Sequence, residues 1–299
     1  MDRLGTWLQQ FLLGDAVVLM VIMVLVIGLL EHVRPARKVP FRHYAFNTAY
    51  GLITILITSI VAPLIGVGVA YAIQAAGIAG LIDLSALGLG GLGGAMLAML
   101  LATFIFDFFF YWMHRLEHAN ALLWQEHVIH HSDEYLNVTT ASRGHFLDGL
   151  LLAVFVSIPM ALLFKLPPVT IGLVTLVPAA WLYVVHANLR IGFGPLWWLL
   201  VSPNYHRIHH SLEREHIDKN FANWFPVWDI LFGTAVHPRA GECPATGVAG
   251  VAIQSVPRGL LFPFAEWGKM LLARSTAGGA RPGPPTRPSP DRASRGRRG

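Results

Sequence analysis

Residues 95–118 read AMLAMLLATFIFDFFFYWMHRLEH. The first eighteen carry one charged residue, Asp107, and two histidines then follow four positions apart, His114 and His118. About 20 apolar residues in a helix cross the roughly 30 Å of a bilayer's hydrocarbon. The stretch therefore predicts a membrane span whose last turns carry two imidazoles on one helix face.

The rest of the chain agrees. Of 299 residues, 54% are hydrophobic and only 13% charged, with a mean hydropathy of +0.53. A soluble domain carries about a quarter charged residues, so a soluble globular enzyme is excluded. Apolar stretches at about 16–30, 45–71, 95–112, 149–164 and 169–185 predict an all-α, polytopic membrane bundle of four to five spans. The last two flank Lys165-Leu-Pro-Pro168 and are marginal in length, a tilted or partly buried hairpin. The start of the chain shows no removable signal peptide. Cys243 is the only cysteine, which excludes an internal disulfide and a cysteine-based zinc site. The net charge of +5 belongs wholly to residues 275–299, an Arg/Pro/Gly/Ser stretch expected to be disordered. The body of the chain is neutral, so no nucleic-acid partner is expected.

Orientation follows from the loops. Arg34, Arg37, Lys38 and Arg42 follow the first span, whereas residues 72–94 contain no Lys or Arg. The positive-inside rule then puts the first loop, residues 113–148 and everything after the fifth span in the cytoplasm. Gly88-Leu-Gly90-Gly-Leu-Gly93 matches a dinucleotide fingerprint, but an apolar membrane segment follows it. The match is discarded as a flexible lead into the third span.

Histidines cluster. His114 and His118, then His127, His130 and His131, then His206, His209 and His210 put eight imidazoles into three five-residue windows, while all other positions hold six. Residues i, i+3 and i+4 share a helix face, so each window is expected to project its imidazoles in one direction. The predicted topology returns all three windows to one membrane face. Imidazole suits iron, zinc, copper and nickel. A catalytic zinc takes three protein ligands, so eight imidazoles exceed one zinc and fit two metals of higher coordination number.

These windows carry a resemblance. Asp107-Phe-Phe-Phe-Tyr-Trp-Met-His114-Arg-Leu-Glu-His118, Trp124-Gln-Glu-His127-Val-Ile-His130-His131-Ser132 with Thr139-Thr-Ala-Ser-Arg-Gly-His145, and Ser202-Pro-Asn-Tyr-His206-Arg-Ile-His209-His210-Ser211 are similar to the ordered histidine boxes of the membrane-bound fatty acid hydroxylase superfamily, in its bacterial sterol desaturase-like branch. Val185-His186-Ala-Asn-Leu189 resembles an extra histidine before the third box, and the stretch from Asp218 to Thr234 resembles the closing segment. The resemblance covers roughly residues 20–238. It implies two iron ions held by His114, His118, His127, His130, His131, His206, His209 and His210, with His186 as the ninth ligand. It also implies O₂ as co-substrate and a membrane lipid whose C–H bond is hydroxylated or desaturated. No nicotinamide, flavin or haem motif is present, so electrons are expected from a separate donor of reductase, cytochrome or ferredoxin type. Sterol, fatty acyl, carotenoid, sphingoid and ether lipids all remain open as substrates, and oligomeric state is not legible.

Three further residues are candidates. Asp107 lies within 20° of the stripe of His114 and His118 and is expected to bond a ligand's distal N–H. His145 is a candidate for substrate contact or support, and Asp229 for neutralising the centre or capping a helix. The chain divides into an N-terminal span and basic loop (1–44), a histidine-box domain (45–238), an interfacial segment (239–274) and the tail (275–299). Two rival readings are a metal transporter or metal-binding membrane protein, and a metallohydrolase with Glu117 or Glu126 as base. Transport calls for ligands along a path near mid-membrane, whereas these windows sit at helix ends on one side.

Overall fold

The computed structural model describes residues 14–75, 77, 80–83, 91–165 and 168–276. The tail beyond residue 276 and part of the glycine-rich stretch lie outside them. Among the described residues the first helices are α1 (Asp15–Val33), α2 (Phe41–Ala75), α3 (Gly91–Ala119), α4 (Ala121–His131), α5 (Asp148–Leu163) and α6 (Pro168–Val185). The short α7 (Pro203–His209) and α8 (Val227–Leu231) follow, then α9 (Val256–Thr276).

Helices within α1, α2 and α3 are long and apolar enough to cross a membrane: Ala16–Val33, Phe41–Val61 and Gly93–Ala119. The chain is an integral membrane protein. Their outer faces show why: Leu25, Leu29 and Val33 are each about two-thirds exposed, a surface only lipid tails tolerate. The other two apolar stretches expected as spans form the shorter apolar helices α5 and α6, Asp148–Leu163 and Leu176–Val185 among the described residues. α5 contains a π-helical turn at Ala153–Ser157 just ahead of Pro159. Proline lacks the N–H that an α-helical turn requires, so the ladder loosens there. Gly91–Gly93 open α3, so the second half of the discarded glycine motif is helical rather than a flexible lead.

A two-residue parallel pairing, β1 (Ile82–Asp83) with β2 (Phe164–Lys165), ties the start of α3 to the end of α5. Asp83 and Lys165 form an ion pair there at 3.2 Å. The histidines sit at the far end of α3, about 40 Å away at 1.5 Å per residue. The basic loop after α1 is on the histidine side: Ala36 N donates to Asn188 O at 2.8 Å, and Asn188 follows His186 by two residues. The loop that was expected to share a face with the windows therefore does.

Packing against the non-helical connections matters as much as helix on helix. Ala98, Ala102 and Met113 of α3 meet Val156, Met160 and Phe164. Met20 and Ile27 of α1 meet Val138, Tyr183 and Ala187. α2 runs against the 3₁₀ turn Val138–Ser142 so closely that a Cβ on Gly51 would lie 2.5 Å from Ser142 Cβ and 3.0 Å from its carbonyl oxygen. Gly51→Ala is therefore expected to destabilise by about 1–3 kcal/mol through overpacking. Thermal unfolding in detergent reads this directly, and an unchanged midpoint would refute the close approach.

Candidate metal centre

A one-residue break separates the first two windows. Asn120 ends α3 and caps α4, its side chain accepting from Leu122 N at 2.9 Å and Leu123 N at 3.3 Å. Ser202 caps α7 with Pro203 in the first turn, as its sequence predicts: the hydroxyl accepts from Tyr205 N at 3.2 Å. His186 stands directly after α6, the helix that brings the chain back.

The nine histidines meet, in two groups rather than by window. His114, His118, His127, His131 and His209 form one; His130, His186, His206 and His210 form the other. Within each group the nitrogens lie within 4.8 Å of one another. The second and third windows split because neighbouring residues on a helix diverge by 100°. His127 and His131 share one stripe and His130 leaves on another; His206 and His210 share a stripe and His209 diverges. The expectation of one direction per window holds for His114 and His118 and is corrected for the other two windows.

The atoms that converge are the Nε2 nitrogens. His114 and His127 stand 3.1 Å apart, as do His118 and His131, His127 and His131, and His131 and His209. In the second group His186 stands 3.0 Å from His130 and from His206, and His206 3.1 Å from His210. The opposite nitrogens are tied outward. His114 Nδ1 donates to Phe221 O (2.8 Å), His209 Nδ1 to Lys219 O (2.8 Å) and His186 Nδ1 to Leu182 O (2.7 Å). A carbonyl only accepts, so these three rings carry the proton on Nδ1 and point an Nε2 lone pair inward. Inward lone pairs repel one another unless an electrophile sits among them. Spacings near 3 Å are those of adjacent ligands around an ion bound at about 2.1 Å, so the donor set fits metal. Carboxylates complete the outer contacts: Asp218 to His118 Nδ1 at 3.2 Å and Glu117 to His127 Nδ1 at 3.4 Å.

Burial keeps the rings neutral. It holds His130, His131, His206 and His210 well below the ordinary imidazole range, with neighbouring imidazoles adding to the effect. His186 is pushed down to about 4, again by burial first. A folded-state value below the unfolded one means that the metal-free chain has its full stability above about pH 6.5 and loses it as pH falls toward 4. In that window only the unfolded chain takes up the protons. His186 alone contributes about 3 kcal/mol by this linkage. The melting midpoint of the apo-protein is expected to fall steeply between about pH 6.5 and 4; a flat profile would contradict the burial of these rings.

The supporting residues take partners other than those expected. Asp107 touches no imidazole: its carboxylate accepts from the backbone N–H groups of Asn223, Trp224 and Phe225 at 3.0, 3.0 and 2.8 Å. Asp229 neither faces the centre nor caps α8. It accepts from Phe221 N (2.8 Å), Ala222 N (3.0 Å), Thr234 Oγ1 (2.7 Å) and Tyr205 Oη (3.1 Å). Both acids thus hold the segment that supplies Phe221 O to His114. That segment begins with Asp218 and Asn220 at φ 59° and 60°, the left-handed region in which Asp and Asn are the favoured non-glycine residues. His145 lies outside both groups: its Nε2 donates to Leu260 O at 3.1 Å, tying α9 to the core.

Sequence reasoning missed the outer contacts. Glu117 and Asp218 do what Asp107 was expected to do; the signal of Glu117 is its place beside His118, and that of Asp218 its place at the start of the closing segment. Glu31 is also unheralded: buried on α1, it accepts from Tyr44 Oη, Val138 N and Asn188 N at 2.6–2.7 Å. A cavity of about 600 Å³ opens between α1, α2, the start of α5 and the end of α6, with Leu19, Ile55, Thr58, His145, Asp148 and Tyr183 on its wall. Residues of α5 and α6 contribute to its wall and none of α3 is among those lining it.

Comparison with known proteins agrees with the geometry. The fatty acid hydroxylase family model matches residues 99–234. Alkylglycerol monooxygenase of Xenopus tropicalis is 37% identical over 130 residues, 44% of this chain and 28% of the relative. The Homo sapiens protein of that name is 36% identical over 128 residues, again 28% of its length. Ornithine lipid hydroxylase OlsE of Rhizobium tropici is 32% identical over 173 residues, 57% of this chain and 51% of the relative. The chain thus spans between about a quarter and a half of the curated relatives it matches. No solved structure matches it. With three membrane-crossing helices and nine convergent histidines, residues 99–234 belong to the fatty acid hydroxylase family, in the superfamily that the histidine boxes resemble.

Proposed function

We propose that this protein is a di-iron, O₂-dependent lipid hydroxylase. The nine histidines would hold two irons, five ligands on one and four on the other, and the observation that carries the reading is the convergence of their Nε2 atoms in two separate groups. Bound iron would supply the oxidising power that an unactivated C–H bond demands; hydroxylation consumes one O₂, two electrons and two protons and releases water. The protein's own part is to hold the imidazoles neutral and oriented through Phe221, Lys219 and Leu182. Its lipid substrate would enter the cavity between α1, α2 and α6, whose wall includes Leu182, the residue that orients His186. The names of the relatives favour a lipid with a polar head, alkylglycerol or ornithine lipid, over a sterol as the first to assay.

Electrons come from a separate donor docking on the face that carries the basic loop and the histidines, which we place in the cytoplasm by the positive-inside rule. On that face α9 lies along the membrane, with Leu261, Phe264, Leu271 and Leu272 exposed. The metal-transport reading is disfavoured because the histidines sit at the ends of α3 and α6, away from mid-membrane. The test is to purify the full chain in lipid nanodiscs, measure bound iron, and follow reductant-dependent O₂ consumption with alkylglycerol or ornithine lipid. About two irons per chain with lipid oxidation is expected; one zinc per chain and no O₂ uptake would overturn the reading.

A further inference from the structure

A second polar cluster lies behind the five-histidine group. Glu117 at the end of α3, Glu126 on α4 and Asp148 at the start of α5 each place a carboxylate oxygen within 4.8 Å of the others and of His127. Glu117 and Glu126 are 1% and 2% exposed. Glu117 faces His127 Nδ1 at 3.4 Å through Oε2, which leaves its second oxygen over. That atom, Glu117 Oε1, and Glu126 Oε1 are buried without any hydrogen-bond donor among the described residues. No Lys or Arg among the described residues lies within 4.0 Å of any of the three carboxylates. The charged groups that act most on Glu117 are the other two acids.

Buried carboxylates are otherwise paired, hydrogen-bonded or bound to a metal ion. Here no Lys or Arg supplies the first, and the second is limited to the acids themselves, since Glu117 lies within hydrogen-bond reach of Glu126 and Asp148, so a positive centre is needed among them. Asp148 is half-buried and stands on the wall of the 600 Å³ cavity, so the cluster has an entry. Its place is shaped by a close approach, since a Cβ on Gly144 would stand 3.1 Å from Asp148 Oδ2. All-oxygen donors with full negative charge suit a hard divalent cation, which takes carboxylate oxygens at about 2.0–2.6 Å. We propose that Glu117, Glu126 and Asp148 form a cation site for a hard divalent ion, separate from the two histidine groups and adjoining them through His127. The ion neutralises the trio and fixes Glu117, and with it the ring of His127.

Calcium is the discriminating probe because it avoids imidazole sites and takes oxygen ligands. Equilibrium dialysis of ⁴⁵Ca²⁺ against the iron-loaded full chain in nanodiscs should show about one bound equivalent per chain, with the melting midpoint raised by the ion. Glu126→Gln and Asp148→Asn should each weaken that binding by at least about tenfold while leaving bound iron unchanged. The amide variants remove repulsion, so they should fold, and retained iron verifies that they do. No saturable Ca²⁺ binding, or binding indifferent to both substitutions, overturns the proposal. The iron count is read separately: its absence would count against the di-iron reading and leave the Ca²⁺ result to stand on its own.

Discussion

Asp107→Ala is expected to lower stability by about 3–6 kcal/mol, because three buried backbone N–H groups lose their acceptor at once and each orphaned group costs about 1–3 kcal/mol. The residue is fully buried, and Asn223, Trp224 and Phe225 all donate to it. The consequence reaches the metal centre by a defined route. The segment freed from Asp107 is the one that supplies Phe221 O to His114 Nδ1. Bound metal should therefore fall together with the melting midpoint. Asp229→Ala should act in the same direction, as it holds Phe221 and Ala222 from the other side. Chemical denaturation and metal analysis of the same preparation decide the matter: a variant less than about 1 kcal/mol weaker, with full metal content, would show that the segment is held elsewhere.

Substitution of His186 is expected to have the largest effect on activity with a small effect on fold. His186 has no relative exposure and its Nε2 stands 3.0 Å from both His130 and His206. It belongs to the four-membered group, in which His206 Nδ1 and His210 Nδ1 lack hydrogen-bond partners among the described residues. That group is thus held less firmly from outside than the five-membered one, and loss of one ligand is harder to absorb. His186→Ala should reduce bound iron from about two per chain to about one, and lipid oxidation by more than the 10–100-fold typical of losing an outer-contact residue. His209→Ala should instead weaken metal binding in the five-membered group, and by less, since four imidazoles remain there. Mössbauer or metal analysis of the two variants side by side distinguishes this from a single shared centre, in which either substitution would remove all the iron. Unaltered metal content in His186→Ala would exclude it as a ligand.

How much was legible beforehand differs by residue type. The spans 16–30, 45–71 and 95–112 could be read because solvation by lipid demands continuous apolar stretches, and that demand is local in the sequence. The helices found, Asp15–Val33, Phe41–Ala75 and Gly91–Ala119, extend past those stretches into polar ends that hydropathy does not see. The marginal stretches 149–164 and 169–185 form helices, yet whether they cross depends on tilt and on what they pack against. The histidines were legible because i, i+3, i+4 spacing is itself local.

Sequence alone therefore determined the class of the molecule: a helical membrane protein with metal-binding imidazoles gathered at one end. It named His186 only through resemblance, since one histidine after a helix carries no spacing signal. The tertiary structure decided three further things. It sorted nine histidines five and four, because rings 100° apart on one helix must serve different neighbours. It reassigned Asp107 and Asp229 from the metal to the backbone of residues 221–225. It brought Glu117, Glu126 and Asp148, from three different helices, into one buried cluster. The physical reason is common to all three. A carboxylate's role is set by which donors lie within about 3 Å, and donors from distant parts of the chain come that close only once the helices have packed.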